Sequence, residues 1–149
     1  MHLEIVPHLI LLSSDKQNVL LIKRAQNHKL WAGHWHCVAG KIEDGESPRD
    51  AIVREAFEEI GLVISEPVLK CTVSARTIDY FDNCSIFEST QLFFMAELPH
   101  NQTPVNMEPQ KHEDIGWFAI TDLPQPMIPV VDFGLQAFQN NQYYAEFYA

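Results

Sequence analysis

The sequence predicts an α/β fold of the α+β kind, a mixed β-sheet sandwiched between helices. Two stretches have helical periodicity, and they sit among more numerous β-favouring runs without regular alternation, which argues against a doubly wound parallel sheet. The 149 residues suffice for one domain with a full core and are too few for two ordinary ones, so a single domain over residues 1–149 is expected. An apolar share of 46% beside a charged share of 20% belongs to the globular class.

The elements follow in order. Leu3–Leu12 and Val19–Arg24 are apolar, β-favouring runs joined by the polar turn Ser13–Asn18, a hairpin signature. Ala25–Gly33 reads as a loop, and Trp35–Val38 as a short strand. Ser47 is a good N-cap, Pro48 suits the first helical position, and Gly61 can adopt the left-handed stop, which predicts a helix over Pro48–Ile60. Val68–Ile78 and Thr90–Leu98 read as longer strands around a loop, Asp79–Ser89. Pro99, Pro104 and Pro109 exclude regular structure from Pro99–Lys111. Gly116–Ile120 reads as a strand and Val130–Asn140 as a second amphipathic helix.

Composition excludes several classes. The net charge is −10 with no Lys/Arg cluster, which argues against bulk binding to nucleic acid or anionic membranes. No stretch approaches the ~18 apolar residues of a membrane span. The N-terminal run lacks a basic leader and carries Glu4 and Pro7, so it reads as a strand and not as a signal peptide. Cys37, Cys71 and Cys84 show no metal or redox spacing, consistent with reduced thiols in a cytoplasmic protein. The seven histidines are scattered and form no zinc frame.

The chemistry concentrates in GKIEDGESPRDAIVREAFEEIGL, Gly40–Leu62. At about 100° per residue, Ile52, Val53, Ala56, Phe57 and Ile60 form a face expected to bury, and Arg54, Glu55, Glu58 and Glu59 the opposite one. Glu55 is an i+3 and i+4 neighbour of Glu58 and Glu59. At ~4 Å and an effective dielectric of ~20, each like-charge pair costs about 4 kcal/mol unscreened. A bound divalent cation reverses the sign of that interaction, and all-oxygen ligands suit Mg²⁺ first and Mn²⁺ next. An acidic protein that handles a phosphate ester needs such an ion between the two anions.

This stretch resembles the Nudix box, Gly-x5-Glu-x7-Arg-Glu-U-x-Glu-Glu-x-Gly-U, where U is bulky and apolar. Gly40, Glu46, Arg54, Glu55, Glu58, Glu59, Gly61 and Leu62 match in register, and Ala56 fills the first U position. The chance of such a match is on the order of 10⁻⁹ per start position. Outside the box the likeness thins: Val38-Ala39 stands where many members have Pro-Gly, while Asn106–Glu113, Trp117-Phe118 and Asp122–Pro124 look like the late segment of small MutT-type members.

The resemblance implies a Nudix fold and a metal-dependent hydrolase. It implies Glu58 and Glu59 as principal metal ligands, Glu55 sharing metal or orienting water, and the Ala39 carbonyl completing the sphere. Arg54 would position Glu55, Gly40 and Glu46 would support the loop, and Glu113, with Glu108 behind it, would be the late base or extra ligand. Lys41 and Lys111 are favoured for phosphate contact among Lys23, Arg24, Lys41 and Lys111. Among Trp31, Trp35, Phe93 and Trp117, one is expected to touch substrate. The leading expectation is pyrophosphohydrolysis of a nucleoside triphosphate, a modified or oxidised one included, to the monophosphate and pyrophosphate. An ADP-ribose or nucleotide-sugar diphosphatase is the alternative, with a non-catalytic nucleotide-binding module a third. No coenzyme A or NADH flanking motif is present. Thr77 and Ile78 stand where ADP-ribose-cleaving members tend to have proline, and Tyr80 is out of register with the tyrosine of dinucleoside polyphosphate members. The expected partner is a small nucleotide, with homodimerisation left open.

Overall fold

The computed structural model describes residues 2–78 and 86–148. Among them, one mixed sheet is built from β1 (His2–Leu12), β2 (Asn18–Arg24), β3 (Trp35–His36), β4 (Val38–Ala39), β5 (Val68–Ile78), β6 (Ile86–Glu97), β7 (His112–Ala119) and β8 (Tyr144–Tyr148). Two helices, α1 (Pro48–Ile60) and α2 (Pro129–Gln139), complete the fold. The main strand order is β3-β2-β1-β6-β5-β8, with β7 on β2 and β4 on β1. β1 runs parallel to β6 and β5 to β8, and the other pairings are antiparallel. No helix among the described residues is long and apolar enough to cross a membrane.

Strand alternation sends successive side chains to opposite faces and so builds two cores. Leu9 and Leu11 of β1, Leu20 and Ile22 of β2 and Phe94 of β6 pack under α1 through Ile52, Ala56 and Ile60. Ile10, Leu12, Val19, Leu21, Val73 and Phe93 pack under α2 through Val131 and Leu135. Gly134 lets α2 approach closely, since a Cβ there would collide with the Phe93 ring.

The sheet forks where the chemistry sits. β1 pairs with β2 at the hairpin end, Leu12 opposite Val19, while further back His8 and Leu9 pair with Ala39 and Val38 of β4. β3 and β4 therefore fill a split in the sheet and deliver Ala39 and Gly40 to the C-terminal half of α1.

Several expectations are revised. The strand expected over Thr90–Leu98 begins at Ile86, and that expected over Gly116–Ile120 begins at His112. β8 was not anticipated; it joins the sheet edge by parallel pairing with β5, a contact between residues far apart in the chain. Residues 99–111 are irregular, as the three prolines require. Tyr80, Cys84 and most of the loop expected over Asp79–Ser89 lie outside the described residues.

Helix α1 has the bounds its caps predict. Asp50 N donates to Ser47 Oγ at 3.1 Å, and Gly61 takes φ 70° in the left-handed region. Its buried face is rotated from the expected one, however. Ala51, Ile52, Ala56, Glu59 and Ile60 are buried, whereas Phe57 is 59% exposed and Val53 only partly covered. The arc centres towards Glu59, so an acid expected on the solvent side lies against the sheet.

Candidate active site

Loop 40–47 and α1 are tied together by Arg54. Its Nε and Nη2 donate to Glu46 Oε2 and Oε1 at 2.8 and 3.0 Å, a fork-to-fork pair. Nη1 donates to Glu55 Oε1 at 2.8 Å and Glu58 Oε2 at 3.1 Å, and Nη2 also reaches the Lys41 carbonyl at 2.9 Å. Glu46 Oε1 accepts from Glu43 N at 3.0 Å. These bonds hold the Arg54 guanidinium firmly protonated and keep the Glu46 carboxyl below its ordinary range. Gly40 is required for space: a Cβ there would overlap the Glu55 carboxyl.

Glu59 is 7% exposed, and its Oε2 is buried without a hydrogen-bond partner. Burial, then the neighbouring Glu55 charge, push its carboxyl up to about 9, with the Ala39 backbone pulling the other way. Burial also raises Glu55, against the pull of Arg54. Glu58 is drawn towards Arg54, and among the described residues no three His, Cys, Asp or Glu side chains converge as a ready metal cage. The donor set nonetheless suits a hard divalent ion: buried, crowded carboxylate oxygens, one without any partner, beside the Ala39 backbone.

These groups form one end of a cleft of about 830 Å³. Ala39, Gly40, Lys41, Arg54, Glu55, Glu58 and Glu59 line it, with Arg24, His28, His36, Glu108, Lys111 and His112 along its middle. Glu108 is brought in because Met107 N donates to the Glu59 carbonyl and Asn106 Oδ1 accepts from Glu108 N, which fasten loop 99–111 to the end of α1. Lys111 Nζ lies 3.2 Å from Glu108 Oε2. Beyond the fork, the cleft continues over Val6, His8, Ala75, Ser89 and Gln91 on the α2 side of the sheet.

Glu113, expected as the late base, does not line the cleft. It follows the buried His112 on β7, so alternation sends it outwards, where it accepts from Gln26 Nε2 at 2.9 Å and pairs with Lys23 at 3.5 Å. Glu108 takes the inward position instead. Of the four aromatics considered, Trp31 lines the cleft; Trp35 and Phe93 are buried in the core, and Trp117 lies on β7 outside it.

Three histidines escaped the sequence reading. His8, His36 and His112 are buried and line the cleft, and each has one ring nitrogen without a partner. Burial pushes His8 down to about 4 and His36 down to about 3. For His8 and His36 the signal was a histidine inside an otherwise apolar run, whereas His112 opens β7 beside Glu113 and Asp114 and carried none.

The family model for the NUDIX domain matches residues 3–135. The chain belongs to the Nudix family. It is 30% identical over 138 residues to an uncharacterized Nudix hydrolase, YvcI, of Bacillus subtilis, spanning 89% of this chain and 79% of that one. It is 33% identical over 122 residues to the NAD-capped RNA hydrolase NudC of Pseudomonas putida, which covers 80% of this chain but only 38% of the relative's length. The crystal structure of a MutT NUDIX hydrolase from Burkholderia pseudomallei superposes with a TM-score of 0.76 at 29% identity, covering 91% of this chain and 98% of that chain. This Nudix chain is thus a hydrolase acting on phosphoric anhydrides, in a family that acts on those of nucleotides and generally uses divalent metal ions.

Proposed function

We propose that this Nudix hydrolase is a Mg²⁺-dependent pyrophosphohydrolase that converts a nucleoside triphosphate, a modified or oxidised one included, to the monophosphate and pyrophosphate. The observation that supports the reading is the continuity of the cleft: a carboxylate end, a middle that carries Arg24 and Lys111, and a far end lined by sheet residues. That order suits a phosphate chain followed by a nucleoside.

Glu58, Glu59 and the Ala39 carbonyl are the groups we assign to hold the ion, with Mn²⁺ as a substitute. Bound there, the metal would neutralise phosphate oxygens and make the phosphorus more electrophilic. Arg54 fixes Glu55 against Gly40, so the Glu55 carboxylate is poised to take a proton from the attacking water. Glu108 replaces Glu113 as our late acid. Lys41 at the carboxylate end and Lys111 and Arg24 along the middle offset phosphate charge, and positioning of the chain by several such groups is itself a large part of the rate.

The whole unit acts on small nucleotides, in this reading, and not on nucleic acid or membranes, consistent with the net charge of −10. A cytoplasmic setting agrees with the free, buried thiols Cys37 and Cys71; burial pushes Cys37 up to about 12, far from a reactive thiolate. A panel of nucleoside triphosphates, ADP-ribose and nucleotide sugars with Mg²⁺, followed for pyrophosphate and monophosphate, tests the assignment. Pyrophosphate release from triphosphates is expected. AMP release from ADP-ribose with no triphosphate turnover would replace the reading with a diphosphatase.

A further inference from the structure

The far end of the cleft has a polar floor that the reaction chemistry leaves unused. Parallel pairing of β1 with β6 places Val6 beside Gln91 and Glu4 beside Ser89, and the antiparallel β5 sets Ala75 opposite Ser89. His8, Ser89 and Gln91 are all more than nine-tenths buried, yet all line the cleft. Val6, Ala75, Val131 and Phe147 give that end apolar walls. A serine and a glutamine two residues apart, at the core-facing positions of a central strand, cost stability unless something uses their hydrogen bonds.

The three side chains form one directed chain. His8 Nε2 and Gln91 Oε1 are 2.6 Å apart, and Gln91 Nε2 lies 2.8 Å from Ser89 Oγ. His8 Nδ1 is buried with no partner. An orphaned ring lone pair is cheaper than an orphaned N–H, so the proton belongs on Nε2. Nε2–H then donates to Gln91 Oε1, which fixes the amide so that its nitrogen donates to Ser89 Oγ. Among the described residues, the Ser89 hydroxyl proton and the second Gln91 amide proton meet no acceptor. The floor therefore offers donors to whatever enters.

We propose that Ser89, Gln91 and His8 form a base-reading floor that favours nucleotides whose base presents a carbonyl oxygen to the sheet over those presenting an amino group. This rests on the nucleotide reading of the cleft. A carbonyl accepts the two spare protons, whereas an amino group can use only the remaining Ser89 Oγ lone pair and sets its N–H against the Gln91 amide proton, which stays unpaired, a mismatch on the order of tenfold. His8 acts as a positioning residue: it sets the direction of the chain without needing to touch the base.

Calorimetric binding of GMP against AMP and of UMP against CMP, with Mg²⁺, tests the floor independently of turnover. The keto member of each pair is expected to bind about tenfold or more tightly. Ser89→Ala should bring both ratios towards one. Gln91→Glu, whose carboxylate only accepts, should turn the Ser89 proton inwards and its lone pairs outwards, moving preference towards the amino bases. Ratios within twofold of one in the unaltered protein, or a keto preference that Ser89→Ala leaves intact, would overturn the proposal. Keto preference in binding, with no triphosphate hydrolysed, would uphold the floor and sink the assigned reaction instead.

Discussion

Glu59→Gln separates the role of this residue in the fold from its role in binding a metal ion. With its carboxyl raised from 4.5 to about 9, Glu59 is protonated in the metal-free fold at pH 7 but ionised in the unfolded chain. A carboxyl raised in this way contributes stability that is complete below pH 4.5 and is lost as pH climbs through about 9. At pH 7 the loss spans about 2.5 pH units, or about 3 kcal/mol at 1.36 kcal/mol per unit. Glutamine removes the titration, so the metal-free variant should be more stable than the parent at pH 7 by up to about 3 kcal/mol, equivalent to roughly 6–12 °C in Tm for a chain of this size. Saturating Mg²⁺ should raise the Tm of the parent by mass action and leave the variant nearly unmoved. Hydrolysis by the variant should fall by several orders of magnitude. Thermal melts of both proteins between pH 5 and 9, with Mg²⁺ and with chelator, decide the matter. A metal-free variant less stable than the parent at pH 8, or a parent whose Tm does not climb as pH drops from 9 to 7, would refute the buried-carboxyl argument.

Other substitutions probe neighbouring parts of the same reasoning. Gly40→Ala should displace the Glu55 carboxyl and cut kcat on the order of a hundredfold with the circular-dichroism spectrum unchanged, because the collision is with one side chain and φ is unstrained. Ala56→Asp sets a charge in the fully buried interface of α1 and the sheet and should abolish soluble expression; a soluble, active variant would show that α1 packs otherwise. In the Glu59→Gln background, stability measured by urea should fall as pH drops from 6.5 towards 4. There the unfolded chain takes up protons that buried His8 and His36, pushed down to about 4 and about 3, refuse. The slope should gain roughly 1.4 kcal/mol per pH unit from each of the two histidines, and His36→Gln should lower it by about that much.

What was legible in the chain, and what was not, divides by the range of the interactions. Helix α1 has the predicted ends because Ser47, Pro48 and Gly61 act on backbone within one turn of themselves. Its rotation could not be read from hydrophobicity, since Phe57 is the largest apolar candidate for burial and Glu59 is charged. Glu59 turns inwards where α1 packs on β1, β4 and β6 through Ile52, the small Ala56 and Ile60, and Phe57 falls outside that arc. The exposed Phe57 and buried Glu59 are thus one fact, in which local preference yields to the site. Glu113 lies outside the cleft for the opposite reason: its place at the end of the family-like segment said nothing of strand parity, and the buried His112 decides that parity. The floor was hidden most deeply, because His8 and Gln91 are 83 residues apart and meet only through the parallel pairing of β1 with β6. Yet its trace was in the sequence: Ser89 and Gln91 are polar at period two, on the side of β6 that continues into buried Phe93. Polar residues in phase with a core face mark a cavity wherever the fold leaves room, and the gap between α2 and the forked sheet provides it here.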